Sequence, residues 1–588
     1  MNRYCLGSLQ IDVAARRLSV DGVEVPVQPL VFEFLAYLLR NTDRAVAKDE
    51  LLDRLWPGVN VTESSLQRVA SLARGVLRQG GAEAALESVQ RFGYRLRPDQ
   101  APATAGGPAD DAPALIGAAR AACAAKRWQD GADLYAQADA AAQLGAAELE
   151  EWGLSLECIG RPAAAIDPLT RAVAAHVAGG NRLAAANPAL ALSRIHLERA
   201  EMAVARGWHG RAADLIGASE TCREHGLWCW MGSRLASAAA ETEEALGLAD
   251  RAYEIGKRVG DPVVESLGLI YRGFFELCLG DTERGLEDQD VAATLGLSSE
   301  IDPVVGGTIY CNLLWACRNF ADWRRASHWS ASYERWCRSE GLEELTGSCR
   351  LHRAEALGIA GTLDEAKALV LTAIEQLEND APWALGDAAR VLGDIHLAAG
   401  DLDQAGEAYG RSSAVGWSPQ PGLALLQLER GEAEAANLGL ERCLQTRNWP
   451  TLQRKGLLLA TLAKIAALTG RHERAAEIVR ELETQPQRWP MPSIRALTSE
   501  ARAALLVGEG RILEAIAELL AACDHWREAG SILNYADTRL CLAALLSKAG
   551  DRAGARIEAQ AVDLIARKTG SARLARKCRE FESMKIAS

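Results

Sequence analysis

The chain has 588 residues, 49% of them hydrophobic and 24% charged, enough for several domains or one long array with ample core material. The net charge of −13 is unevenly placed: residues 1–100 hold 13 Lys and Arg against 12 Asp and Glu, so the acidic remainder is a poor partner for nucleic acid. There is no run of about 18 apolar residues and no basic-plus-apolar signal pattern at the N-terminus, which predicts a cytoplasmic protein with no membrane partner.

Two β-rich stretches open the chain, YCLGSLQID (4–12) and RLSVDGVEVPV (17–27), with Asp21-Gly22 as a hairpin turn. Pro29 starts a helix, PLVFEFLAYLLRN (29–41), with Phe32, Leu35, Leu38 and Leu39 as its apolar stripe. A second helix, KDELLDRLW (48–56), ends at Pro57-Gly58. The third, TESSLQRVASLARGVL (62–77), has Thr62 as its N-cap. Leu66, Val69, Ala70, Ala73 and Leu77 face one way at helical spacing. The other side carries Ser64, Gln67, Arg68, Ser71 and Arg74, with no acid after Glu63. A merely solvated face usually mixes both signs, and Arg, Gln and Ser are side chains that bond base edges and phosphates. ESVQRFGYRLRP (87–98) forms a two-stranded hairpin.

This order, with RAVAKDELLDRLWPG (44–58), SSLQRVASLARGVL (64–77) and GYR (93–95), resembles the OmpR/PhoB-type winged helix-turn-helix domain over roughly residues 5–97. The resemblance implies that the third helix lies in the major groove of double-stranded DNA and that the hairpin is a wing over the minor groove. It puts Ser64, Gln67, Arg68 and Ser71 on base edges, and Lys48, Thr62 and Arg74 on phosphates. Arg91 and Tyr94 become the wing contacts. The family's wing commonly has Val-Arg-Gly before its Gly-Tyr; here Gln90 and Arg91 take the Arg and Gly places, which leaves the aim of Arg91 open. By the same resemblance the loop PGVNV (57–61) touches RNA polymerase. A pair of such domains on repeated half-sites implies a homodimer.

Residues 1–98 are thus expected to form the winged domain, and 99–112, DQAPATAGGPADDA, a flexible linker. No receiver domain is expected. From 113 to 588 helical periodicity dominates. A Gly or Ala followed five residues later by a small residue recurs eleven times, as in GRPAAA (160), GWHGRA (207), GLADRA (247), GDTERG (280) and GDRAGA (550), with final spacings of 40, 39, 31, 39, 40 and 40. Such a turn joins two crossing helices, and its repetition marks an α-solenoid of tetratricopeptide-like hairpins with a continuous concave surface. The fold class is mainly α behind an α+β domain. Within the array, YERWCRSEGL (333–342), CRLHRAEAL (349–357), PWALGDAARVLGDIHLAAGDLDQA (382–405) and PQPGLALLQLERG (419–431) resemble the helical-repeat effector regions of LuxR-type regulators. No GxxxxGK[ST] is present, so a P-loop switch is not expected.

Fifteen Trp residues invite two readings: packing between repeats, or an aromatic effector pocket. The candidate pocket residues are Trp208, Trp228 and Trp230, since HGLWCWMGS (225–233) is predicted to connect two helices. The 14 cysteines contain no CxxC, and the nine histidines, all at or beyond His176, form no metal-ligand spacing. With no nucleophile elbow or phosphate loop, neither an enzyme nor a metal or other cofactor is expected. The expectation is a DNA-binding transcriptional regulator, an activator, with an array that senses a small molecule or a protein. The alternative is a repeat scaffold whose winged domain docks protein.

Overall fold

The computed structural model describes residues 3–587 apart from 7–8, 13–16, 21–22, 26, 28, 40, 42–43, 56–62, 80–84, 90–91, 97–111, 220, 299–300 and 343–346. The chain divides into two compact units, Met1–Asp111 and Ala112–Ser588.

The first unit opens with a four-stranded antiparallel sheet, β1 (Arg3–Leu6), β2 (Leu9–Asp12), β3 (Arg17–Val20) and β4 (Val23–Glu24), in sequential order. The stretch 4–12 is therefore two strands rather than one, because Leu6 pairs with Leu9 across a tight reversal. Three helices follow: α1 (Pro29–Leu39), α2 (Lys48–Leu55) and α3 (Glu63–Gln79). A second sheet joins β5 (Val46–Ala47), β7 (Gly93–Leu96) and β6 (Leu86–Val89), with β7 in the middle. β5 is too short to announce itself in sequence and forms because β7 offers it an edge. One core serves the unit: Leu9, Ile11 and Leu18 of the sheet, Phe34 and Leu38 of α1, Leu51 of α2 and Ala70, Ala73 and Leu77 of α3. Each fully buried Leu there contributes roughly 1.5–3 kcal/mol.

The second unit is a chain of helical hairpins, α4 (Ala112–Ala124) to α28 (Ala572–Ala587). Ala112, expected in the linker, is the first residue of α4. The turn inside each hairpin is built alike. A residue with left-handed φ sits at Lys126, Gly160, Ala200, Ala240, Gly280, Ala321, Gly361, Gly400, Gly431, Gly470, Gly510 and Gly550. The next residue's N–H bonds back to a carbonyl in the last helical turn, as Arg161 does to Leu156 and Asp401 to His396, both at 2.9 Å. This pairing satisfies carbonyls the ending helix would leave bare. Five residues beyond each turn lies a Gly or Ala, from Gly131 through Ala165, Ala245 and Ala366 to Ala555, and all are buried. A larger side chain there would hold the two helices of the hairpin apart. Two predicted turns move. Gly207 lies inside α9 (Met202–Ile216) and Gly247 inside α11 (Thr242–Val259); Ala200 and Ala240 make the turns instead, with φ of 60° and 62°.

Elements far apart in sequence meet: Lys126 pairs with Glu340 at 2.6 Å, Thr282 donates to the Arg488 carbonyl at 2.7 Å, Ser493 to the Ala321 carbonyl at 2.8 Å and Ser571 to the Ala398 carbonyl at 2.6 Å. About five hairpins therefore complete one superhelical turn, and successive turns touch. A buried polar cluster lies where they meet, built from α14 (Pro303–Asn319), α16 (Gly347–Ile359), α18 (Leu385–Ala399) and α22 (Trp449–Leu468). Asp387, fully buried, receives Arg318 at 2.7 Å, Arg390 at 2.7 Å and Arg454 at 3.0 Å. Glu355 accepts from Arg318 and from Arg390. Burial pushes the Asp387 carboxyl up, and Arg390, Arg318 and Arg454 overcome that and hold it far below the carboxylate range. Arg318 also donates to His352 Nδ1 at 2.7 Å. Because a guanidinium can only donate, Nδ1 is the bare nitrogen and the ring is neutral. Burial and the charge of Arg318 hold the His352 pKa well below its usual value.

Candidate nucleic-acid interface

The candidate interface begins with how α3 is anchored. Leu66, Val69, Ala70, Ala73 and Leu77 are buried in the core, as their spacing predicts. That fixes the rotation of the helix. Gln67 and Ser71 are then forced outward and are exposed, while Arg74 is half-buried. Ser64 and Arg68 belong to the same helix, but their side chains, and Thr62 and Arg91 altogether, lie outside the described residues, as does the loop 57–61. Leu72, 39% exposed, stands next to Ser71 on the outer side. An apolar residue there suits a thymine methyl or another apolar contact, and sequence reading passed over it.

The wing is fixed from below. Lys48, the first residue of α2, donates its backbone N–H to the Phe92 carbonyl at 2.9 Å, and Phe92 N–H closes the turn on the Val89 carbonyl at 3.0 Å. Val46 pairs with Tyr94 and Ala47 with Gly93. A methyl group on Gly93 would sit 1.9 Å from the Val46 carbonyl oxygen, so this close approach of β5 and β7 admits glycine alone. Tyr94 departs from its expected role. Its ring is 6% exposed and packs edge-on against Phe34, with centroids 5.6 Å apart. Side chains alternate along a strand, and the register turns Tyr94 inward, so it holds the wing onto α1 rather than touching a ligand. Phe92, half exposed at the tip, is the outward aromatic.

A polar latch ties α1 to α2. Tyr37 donates to Glu50 at 2.8 Å and Arg44 pairs with it at 2.6 Å. The hydrogen bonds from Arg44 and Tyr37 lower the Glu50 pKa to about 2.

In the array, HGLWCWMGS is not a connector. It lies inside α10 (Arg223–Ala238), since Leu227, Trp230 and Met231 supply a buried stripe. Trp228 stacks on His209 at 4.8 Å, and each ring N–H of this pair meets the other residue's carbonyl, at 3.0 and 3.3 Å. Trp230 is buried edge-on to Tyr271, and Trp208 packs against the same core. These three rings are used in packing. Among the described residues no helix is long and apolar enough to cross a membrane and no metal-binding cluster occurs.

Residues 22–96 match the family described as "Transcriptional regulatory protein, C terminal", so the first unit contains an OmpR/PhoB-type DNA-binding domain of transcriptional regulators. The transcriptional regulatory protein TrcR of Mycobacterium tuberculosis (strain ATCC 25618 / H37Rv) is 32% identical over 98 residues, which are 16% of this chain and 37% of that protein. The chain thus spans little more than a third of that relative's length. Two solved structures are similar over much of the chain. One is the APC/C hetero-tetramer Cut9-Hcn1, with 12% identity, a TM-score of 0.38 and coverage of 81% of this chain and 90% of that one. The other is a Rap protein complexed with Competence and Sporulation Factor, with 13% identity, a TM-score of 0.34 and coverage of 67% and 98%.

Proposed function

We propose that this chain is a cytoplasmic, sequence-specific transcriptional activator, with α3 in the major groove and the β6–β7 wing over the adjacent minor groove. The observation that carries this reading is the outward face of α3, where Gln67 and Ser71 are exposed while the opposite face is locked into the core. Ser64, Gln67, Arg68 and Ser71 read bases; Lys48, Thr62 and Arg74 hold phosphates; Arg91 reaches the minor groove, with Phe92 beside it. The near-balance of charge over residues 1–100 supplies few phosphate contacts per copy, so binding as a homodimer on paired half-sites is part of the proposal. The loop 57–61 contacts RNA polymerase, and the array senses an effector that alters pairing or DNA affinity. The chain performs no catalysis in this scheme.

Selection of bound duplexes from a random DNA pool with the full-length protein tests this. An enriched motif with two spaced half-sites is expected. No enrichment at low salt would instead favour a scaffold whose winged domain docks protein through the exposed Leu72 and Phe92.

A further inference from the structure

A cavity of about 150 Å³ opens between successive superhelical turns of the array. Its walls come from parts of the chain up to about 200 residues apart: Ser237, Ala238 and Ala240 at the end of α10 on one side, and on the other Trp417 and its neighbours, Cys443 and the first turns of α22. Trp417 and Trp449 form its aromatic sides, with ring centroids 6.0 Å apart, and Trp315 backs both at 6.1 and 5.7 Å. No acidic residue lines it, and one cation does, Arg454.

Arg454 is the least compensated member of the buried cluster. Arg318 and Arg390 each meet both Asp387 and Glu355. Arg454 shares a single oxygen of Asp387 with Arg390 and otherwise leans on the neutral amide of Asn319, at 2.7 Å. Burial, then the charge of Arg390, pushes its pKa down, so a further anion would be welcome there. Nearby, the indole N–H of Trp417 is buried with no acceptor among the described residues. A buried donor left bare is costly, and a ligand acceptor would relieve it. The positive end of the α22 dipole adds to the same field.

We infer that this cavity binds a small single-ring aromatic carboxylate, its ring packed against the wall that Trp417 and Trp449 form together and its carboxylate on Arg454. A space of about this size accepts a benzene ring, and a guanidinium matches a carboxylate in shape and charge. Because the walls belong to different superhelical turns, the ligand clamps their spacing. This names the site behind the sensing role proposed above and rests on that reading for its purpose. Its test uses no DNA, so failure of DNA recognition and failure of this site are separate results.

The experiment is isothermal titration calorimetry of full-length protein with benzoate and with benzamide, which has the same ring and no charge. Saturable one-to-one binding of benzoate is expected, at least tenfold tighter than that of benzamide. Arg454→Gln should remove that preference. Since Arg454 also serves the buried cluster, Ala238→Trp provides a second variant: Ala238 is exposed at the mouth, so blocking there spares the core and should abolish binding with an unchanged circular dichroism spectrum. No saturable benzoate binding up to about 10 mM, roughly tenfold above a Kd of 1 mM, would overturn the assignment. So would equal affinity for benzamide, or undiminished binding in a folded Ala238→Trp protein.

Discussion

Gly93 carries the shape of the wing. The Val46 carbonyl oxygen occupies the place a Cβ would need, so Gly93→Ala must separate β5 from β7. We expect a local cost of about 1–3 kcal/mol, the usual range for overpacking, seen in the full-length protein as faster amide exchange over residues 86–96. Unchanged exchange would mean that the strands yield freely. The Glu50 latch is a smaller matter. Its folded pKa is depressed, so its contribution is present above the ordinary value of 4.5 and is lost as pH falls towards about 2. Both partners are partly exposed, and Glu50→Gln should cost under about 1 kcal/mol.

At the scale of the hairpin, the repeat is a turn plus a crossing point. Ala366 is fully buried where its two helices meet, and Ala366→Leu should destabilise the array by roughly 1–3 kcal/mol. Gly470→Ala is milder: nothing lies near its Cβ position, and only the left-handed backbone strain of roughly 1–2 kcal/mol is added. Chemical denaturation that ranks these two variants the other way would contradict this account of the repeat. The three helices of the winged domain were legible in sequence because their apolar stripes are complete. The array was legible because small residues recur at about 40. Gly207 and Gly247 misled because glycine is the usual left-handed residue; the period from Gly160 to Gly280 already pointed at Ala200 and Ala240, within AEMAVA and AETEEA. The outward face of α3 followed from its inward face. The inward turn of Tyr94 did not, because it depends on pairing with β5. The Trp417–Trp449 cavity was hidden for the same kind of reason: its walls come from hairpins about 200 residues apart, and no local pattern announces a contact between superhelical turns.

For the array as a whole, the Arg318–Glu355–Asp387–Arg390–Arg454 cluster holds successive turns together. Asp387→Asn leaves buried cations short of a carboxylate and should cost about 3–5 kcal/mol. His352 adds a pH dependence. Its folded pKa lies well below 6.5, so the unfolded chain binds the extra proton first and stability is lost as pH falls below 6.5. Relative to His352→Gln, the wild-type array should lose up to about 1.4 kcal/mol between pH 7.5 and 5.5; parallel pH profiles for the two proteins would refute this. Comparing the variant with the wild type removes the opposing effect of Glu276, whose pKa burial and Asp288 raise to about 7.

The central claim is that α3 reads bases. The most direct measurement repeats the random-duplex selection with full-length Gln67→Ala/Arg68→Ala beside the wild type, on protein whose array is still folded. The account predicts that the wild-type motif is lost or relaxed at the positions under α3, with each lost base contact costing about 1–3 kcal/mol. An identical motif from both proteins would contradict it.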